Sequence, residues 1–169
     1  MEITNDRIII REAVESDLER LFQFEQGVIA AERPFDPTLK PGSINYYDLR
    51  GLINSPDSQL IVAEIDGKPI ASGYARIEKS EAYLQHEHHA YLGFMFVVEE
   101  FRGRGINKMI VRELQKWALS KNVDELRLEV YYPNSAAIRA YEKIGFSKHM
   151  IEMRIKVDDS SKVNNDREN

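Results

Sequence analysis

The chain has no cysteine among its 169 residues, which excludes disulfides, thiolate zinc sites and a catalytic thiol. No apolar run approaches the ~20 residues that a membrane-spanning helix requires, and the first seven residues lack the layout of a signal peptide. Positive charge is not in excess either. The net charge is −5, whereas a nucleic-acid-binding face concentrates basic residues. These absences predict a cytoplasmic protein with no membrane or nucleic-acid partner.

The composition is that of a globular chain, with 43% hydrophobic and 30% charged residues, and the length suits one core. From Asp158 onward the sequence is polar and has no aromatic residue, which is typical of disorder. We therefore predict one domain over residues 1–157 and a disordered tail over residues 158–169.

Hydrophobic periodicity predicts alternating helices and strands. The predicted elements are, in chain order, a strand at 8–11, helices at 18–32 and 43–53, strands at 59–65, 70–77 and 89–98, a helix over 106–118, a strand at 126–131, a helix from 135 to about 144 and an extended segment at 146–157. Asp66-Gly67 marks a hairpin between two of the strands. This order favours an α/β protein with one mixed sheet and helices on both faces.

The segment that follows the predicted central strand is rich in glycine and arginine. Gly103 and Gly105 allow a tight turn that directs backbone N–H groups toward an anion, and a helix N-terminus follows. Arg102, Arg104 and Lys108 add positive charge, so the segment suits a pyrophosphate. An ordinary strand-to-helix turn is the alternative. The segment lacks the Gly-Lys-Ser/Thr of a phosphate-binding loop of nucleotide hydrolases and the third glycine of a dinucleotide fingerprint.

Two spaced motifs make the resemblance specific. Phe96-Val97 with Arg102-Gly103-Arg104-Gly105-Ile106 resembles motif A of the GNAT superfamily of N-acetyltransferases. The segments 126–130 and 134–146 resemble its motif B, in the same order and at a usual separation. The resemblance covers roughly residues 7–156. It implies a single domain with a mostly antiparallel mixed sheet of about six to seven strands and a splay between the central strands.

The resemblance also implies a cofactor, acetyl-coenzyme A, and residues that bind it. Pantetheine would pair with the strand backbone at Met95, Phe96 and Val97. The pyrophosphate would lie on backbone N–H groups, and the residues concerned are Arg102, Gly103, Arg104, Gly105, Ile106, Asn107 and Lys108. Asn107 departs from the glycine or alanine usual in the family, but its backbone donor is kept.

Motif B contributes two further side chains. Asn134 would lie near pantetheine, and Tyr141 would also contact the cofactor and act as the catalytic acid that reprotonates the thiolate. Each has a structural alternative, since Asn134 also suits a helix N-cap and Tyr141 also suits a core aromatic position.

The general base is not carried over, because the family's glutamate position is Tyr91 here. Replacement candidates are Glu81, Glu87, His88 and His89, and loss of the amine proton to water is the alternative. His86 and His88 alternate onto one strand face, but no fourth ligand spacing is evident, so we predict no metal site.

The acceptor pocket is expected at the loop between the first two helices, residues 31–38. Glu32 and Asp36 would attract an ammonium group and Phe35 would wall the pocket, or all three are ordinary loop residues. Further aromatic candidates are Tyr46, Tyr47 and Tyr83.

The resemblance therefore implies an N-acetyltransferase that acetylates a primary amine of a small molecule, peptide or protein. The alternative is a catalytically inactive acyl-coenzyme A sensor or interaction module. The resemblance also leaves a homodimer open.

Overall fold

The computed structural model describes residues 8–157. The strands are β1 (Ile9–Glu12), β2 (Ser58–Ile65), β3 (Lys68–Lys79), β4 (His88–Val97) and β5 (Leu126–Arg127), and the helices are α1 (Leu18–Glu32), α2 (Leu49–Asn54), α3 (Ile106–Ser120) and α4 (Ser135–Glu142). The chain forms two compact units that divide after Asn134. The first holds the five strands and α1 to α3, and the second holds α4.

The five strands form one mixed sheet in the order β1-β2-β3-β4-β5. The first three pairings are antiparallel, and only β4 and β5 run parallel. Asp66 and Gly67 join β2 to β3 with φ values of 50° and 75°, as a two-residue hairpin turn with left-handed residues requires. The hairpin prediction is thereby confirmed.

Helices cover both faces of this sheet, as predicted. Successive residues of a strand point to opposite faces. On one face, Leu60 and Val62 of β2 join a core cluster with α1 and α2. Their neighbours Ile61 and Ala63 are buried as well, and α3 packs against β2 and β3 from the other side. On α3, the residues buried at helical spacing are Ile106, Ile110, Val111, Leu114 and Ala118.

Two elements are shorter than predicted. The second helix begins at Leu49 rather than residue 43, because Asp48 caps it by accepting a hydrogen bond from the Gly51 N–H at 3.0 Å. β5 ends at Arg127 rather than at residue 131, because the chain separates from β4 after Arg127.

The predicted strand count was also too high for the part of the chain that the structure describes. Residues 146–157 form no strand there, so the sheet has five strands instead of six to seven. In the second unit, α4 ends at a turn in which the Gly145 and Phe146 N–H groups donate to the Tyr141 carbonyl. The tail predicted from Asp158 lies outside the described residues. Among residues 8–157, no helix combines the length and apolarity needed to cross a membrane.

Candidate functional site

The two parallel strands separate soon after they meet. β4 pairs with β5 only at Ala90–Leu126 and Tyr91–Arg127. Beyond Tyr91, β4 continues for six residues to Val97 and keeps its pairing with β3. In the described chain it has no strand neighbour on the β5 side over that stretch. Backbone groups on that edge are therefore available to an extended ligand.

A β-bulge lies in this open part of β4. Tyr74 pairs with Gly93 and Ser72 with Phe96, so two residues of β4 oppose one of β3. Phe94 adopts a φ of +55°, which is strained for a bulky residue. The buried Ser72 hydroxyl donates to the Phe94 carbonyl at 3.0 Å and supports this conformation. Such bulges redirect backbone and side chains next to active sites.

The glycine-rich segment 102–107, which we call the cradle, turns through two left-handed glycines, a backbone that can direct N–H groups toward an anion. Gly103 and Gly105 adopt φ values of 76° and 77°. A Cβ at either position would meet no atom within 4 Å, so glycine is needed there for its conformation and not for space. Gly105 precedes α3 and no side chain caps its first turn, which leaves backbone donors for a ligand.

Arginine side chains brace this cradle. The Arg102 Nε donates to the Val97 carbonyl at 3.0 Å, which ties the cradle to the end of β4. The Arg104 guanidinium lies 5.4 Å from the Phe101 ring centroid and donates to the Glu100 carbonyl at 3.3 Å. Both residues are exposed, so their positive charge can reach a bound phosphate.

The remaining predicted cofactor residues divide between the two units. Met95 lies in the bulge, and Phe96 and Val97 follow it, at the open edge of β4. Asn134 ends the first unit, and its backbone N–H donates to the Tyr131 carbonyl at 2.8 Å. Tyr141 lies on α4 in the second unit, 5.8 Å from the Phe146 ring.

Four tyrosines line the α1 side of the bulge, and we call Tyr46, Tyr47, Tyr74 and Tyr91 the tyrosine wall. The rings of Tyr46 and Tyr47 are 5.8 Å apart, and those of Tyr47 and Tyr74 are also 5.8 Å apart. Tyr47 lies 4.9 Å from the Phe94 ring. Gly93 permits this packing, since a Cβ there would come within 2.6 Å of Tyr74. The wall therefore lies directly against the bulge.

Burial raises the pKa of each phenol of the wall. Burial, then the charge of Glu32, raises the pKa of Tyr46 to about 12. Burial, followed by Glu129, raises the pKa of Tyr91, whose hydroxyl donates to Glu129 Oε2 at 3.4 Å. These phenols are neutral hydrogen-bond donors at physiological pH.

The loop after α1 reaches the segment after β5. The Asp36 carboxylate accepts from the Thr38 N–H at 2.9 Å, and its other oxygen lies 3.4 Å from the Tyr131 hydroxyl. Phe35 stacks on Tyr131 with ring centroids 6.2 Å apart. Asp36 is 8% exposed, so it holds the loop in place as well as adding negative charge. Tyr83, by contrast, is 83% exposed.

The candidate replacement bases lie at or before the start of β4, on the opposite side of the strand's length from the bulge. His89 is five residues before Phe94, about 17 Å along an extended strand. Its Nδ1 is 2.9 Å from the Ser80 hydroxyl, and burial is the main cause that lowers its pKa. Glu81, Glu87 and His88 are exposed near the same end. Strand direction separates all four from the bulge.

Sequence reasoning missed Ser72, Tyr74, Glu129 and Tyr131. Glu129 and Tyr131 do carry a signal, because they alternate with the apolar residues of the segment that contains β5. Ser72 and Tyr74 carry none, since their roles depend on contacts across strands.

Comparison with known proteins agrees with this geometry. Residues 18–146 match the model of the Acetyltransferase (GNAT) family. Acetyltransferase ECA0875 of Pectobacterium atrosepticum is 28% identical over 108 residues, which cover 64% of this chain and 71% of that protein. The uncharacterized N-acetyltransferase YobR of Bacillus subtilis is 39% identical over 56 residues, but this match covers only 33% of the chain and 23% of YobR.

A solved structure has the same fold. A predicted acetyltransferase from Clostridium acetobutylicum, crystallised with acetyl-CoA, superposes with a TM-score of 0.69 over 88% of this chain and 96% of that one, at 16% identity. The family match, which spans most of the chain, and the shared fold lead to one conclusion: this protein belongs to the GNAT family of acetyltransferases.

Proposed function

We propose that the protein transfers an acetyl group from acetyl-CoA to a primary amine of a small molecule, peptide or protein, by direct attack in a ternary complex. One observation carries the proposal: the bulge at Phe94 lies on an open strand edge, between a cradle suited to pyrophosphate and a wall of protonated phenols. The Clostridium acetobutylicum neighbour, crystallised with acetyl-CoA, supports the choice of cofactor.

The residues present fit the cofactor. Gly103 and Gly105 have the backbone conformation of an anion cradle, and the uncapped first turn of α3 supplies Ile106, Asn107 and Lys108 as further donors. Pantetheine would extend from there along Met95 to Val97, and Asn134 would lie near it. The cofactor supplies the activated acetyl group.

The protein's task is then to position the amine and move protons. The amine nitrogen attacks the thioester carbonyl, so a C–N bond forms and the C–S bond breaks. The nitrogen loses one proton to a base or to water, and the leaving thiolate gains one, for which Tyr141 is our candidate acid. Backbone N–H groups at the bulge would stabilise the developing oxyanion.

The alternative is an acyl-CoA sensor without catalysis. The feature that favours it is Tyr91, which stands at the position of the family's glutamate. The two functions differ in turnover. We expect release of the coenzyme A thiol when acetyl-CoA is incubated with a panel of primary amines, and none with the matching tertiary amines. Binding of acetyl-CoA by calorimetry without thiol release from any amine would establish the sensor instead.

A further inference from the structure

The connection between α1 and α2 supplies two members of the tyrosine wall, Tyr46 and Tyr47, and is neither helix nor strand at that point. Side chains of α1 hold its backbone instead. The Gln26 amide donates to the Ile44 carbonyl at 2.9 Å. The Oε1 atom of Glu25 accepts from the backbone N–H groups of Tyr46 and Tyr47 at 2.6 and 2.9 Å. The position of both tyrosines therefore depends on α1.

The part of α1 that carries Glu25 is itself packed against β4, just beyond the bulge. The buried Phe24 ring lies 4.9 Å from the Phe96 ring. Gly27 permits this close approach of helix and strand, since a Cβ there would come within 2.4 Å of Phe96. Glu25 therefore attaches the tyrosine wall to a segment of the helix that is already fixed against the open part of β4.

The attached tyrosines meet the bulge directly. The Tyr47 ring lies 4.9 Å from the Phe94 ring and 5.8 Å from the Tyr74 ring, and Tyr46 packs edge-on against Tyr47. Hydrogen bonds to two consecutive backbone N–H groups fix the backbone there, and the backbone in turn restricts the rotamers of both side chains. One carboxyl group thus sets where the wall stands relative to the proposed site of reaction.

Stability alone does not account for a carboxyl group at this position. Glu25 is 0% exposed, and its Oε2 atom has no hydrogen-bond partner within the described residues. A buried carboxyl group with one unsatisfied oxygen costs free energy, and replacement of buried ionic groups by apolar residues of similar volume is often neutral or stabilising. An apolar side chain would not, however, accept from two adjacent backbone N–H groups. The benefit of Glu25 therefore lies in the geometry that it imposes on the wall.

We propose that Glu25 is a positioning residue of the acetyltransferase: it holds Tyr46 and Tyr47 against the bulge and thereby determines how tightly the acceptor amine binds. The inference rests on the proposed function. Glu25 acts through the backbone of the wall and takes no part in proton transfer. The cradle, residues 102–107, lies beyond the end of β4, so acetyl-CoA binding there does not depend on this attachment. The effect of Glu25 therefore falls on the KM for the amine and not on the KM for acetyl-CoA.

The test compares Glu25→Gln with Glu25→Leu by coenzyme A thiol release, with butylamine, phenylethylamine and a tripeptide with a free amino terminus among the acceptors. The Gln amide oxygen can accept from the same two N–H groups, whereas Leu fills the space and offers no acceptor. We expect Glu25→Leu to raise KM for the amine that the wild type uses best by on the order of 10-fold or more, because misplacement by about 1 Å can cost up to about 100-fold. Glu25→Gln should keep most of the wild-type kcat/KM, and KM for acetyl-CoA should stay unchanged in both variants.

Hydrogen exchange gives a readout that does not depend on turnover. The Tyr46 and Tyr47 amides should exchange faster in Glu25→Leu than in the wild type and near the wild-type rate in Glu25→Gln. If Glu25→Leu fails to fold, Glu25→Asp takes its place, because it keeps the carboxylate but shortens the side chain by one methylene group. It should also raise the amine KM and speed exchange at the same two amides.

Asp17→Ala is the matched control, because Asp17 is a buried carboxylate next to the start of α1 that also accepts a backbone N–H, from Val14 at 2.9 Å. It should lower Tm and leave the amine KM unchanged. An unchanged amine KM in Glu25→Leu, an equal rise in Glu25→Gln, or a parallel loss of acetyl-CoA affinity would overturn this inference while leaving the acetyltransferase proposal standing. Absence of thiol release with every primary amine would instead overturn the proposed function, and this inference with it.

Discussion

Replacement of Ser72 by alanine tests the bulge on which the proposed site depends. The Ser72 side chain is fully buried, and its hydroxyl donates to the Phe94 carbonyl at 3.0 Å. Its loss leaves a buried carbonyl without this donor, at a cost of about 1–3 kcal/mol. In a chain of this size each kcal/mol lowers Tm by roughly 2–4 °C, so we expect Tm to fall by about 2–12 °C.

We expect Ser72→Ala to lose more activity than its lower stability explains. Without Ser72, the strained φ of +55° at Phe94 loses a support, and a strained conformation persists only where its surroundings hold it. A shift of the bulge would displace the backbone groups that face the reacting carbonyl. We expect kcat/KM to fall on the order of 10-fold or more at a temperature where the variant is fully folded, because misplacement by about 1 Å can cost up to about 100-fold.

Ser58→Ala is the matched control. Ser58 is 8% exposed, and its hydroxyl donates to the Leu52 carbonyl at 2.8 Å, a buried bond remote from the bulge. Both variants are measured by thermal unfolding and by coenzyme A thiol release. We expect Ser58→Ala to lower Tm about as much as Ser72→Ala does, but to leave kcat/KM unchanged. If Ser72→Ala lost stability but kept full kcat/KM, the bulge would have no part in catalysis.

Three further predictions concern other parts of the molecule. Gly105→Trp should abolish acetyl-CoA binding measured by calorimetry. Gly67→Trp places the same residue at another left-handed position, in the hairpin, and should keep that binding. If both variants lost acetyl-CoA binding equally, backbone strain rather than the cradle would explain the loss. Tyr141→Phe should lower kcat much more than acetyl-CoA affinity, and unchanged turnover would remove Tyr141 as the acid. Hydrogen bonds from Arg11 are the main cause that lowers the pKa of Asp17, so this carboxylate adds stability above the unfolded pKa of 3.8 that is lost as the pH falls through the lower folded value. The urea-unfolding advantage over Asp17→Asn should therefore be full near pH 7 and shrink at acid pH, and an advantage that does not change with pH would contradict the assigned ion pair.

The elements with strong local signals could be predicted from the sequence. Residues Ile106 to Ala118 of α3 repeat apolar side chains at helical spacing, and the helix is present where they lie. Asp66-Gly67 is compatible with the left-handed dihedrals of a hairpin, and Gly103 and Gly105 adopt the conformation expected of them. In each case the preference belongs to a few neighbouring residues, so no distant contact was needed to foresee it.

Other elements depended on contacts that are not local. Gly27 lies within a continuous α1, where a Cβ would come within 2.4 Å of the Phe96 ring. Residues 146–157 have a strand-like composition, yet within the described chain they form no strand, because pairing depends on a neighbouring edge and not on propensity alone.

The sequence by itself determined the family, the order of most elements and the position of the glycine-rich cradle, since all three reside in contiguous motifs. Only the tertiary structure decided what surrounds the open edge of β4. The bulge at Phe94 needs Ser72 from the adjacent strand, and Asp36 meets Tyr131 across 95 residues of chain. Glu129, in the segment after β5, accepts from the hydroxyl of Tyr91 in the tyrosine wall at 3.4 Å. Side chains so far apart in sequence are brought together only by packing, and sequence periodicity records each of them merely as a polar or aromatic residue on its own element.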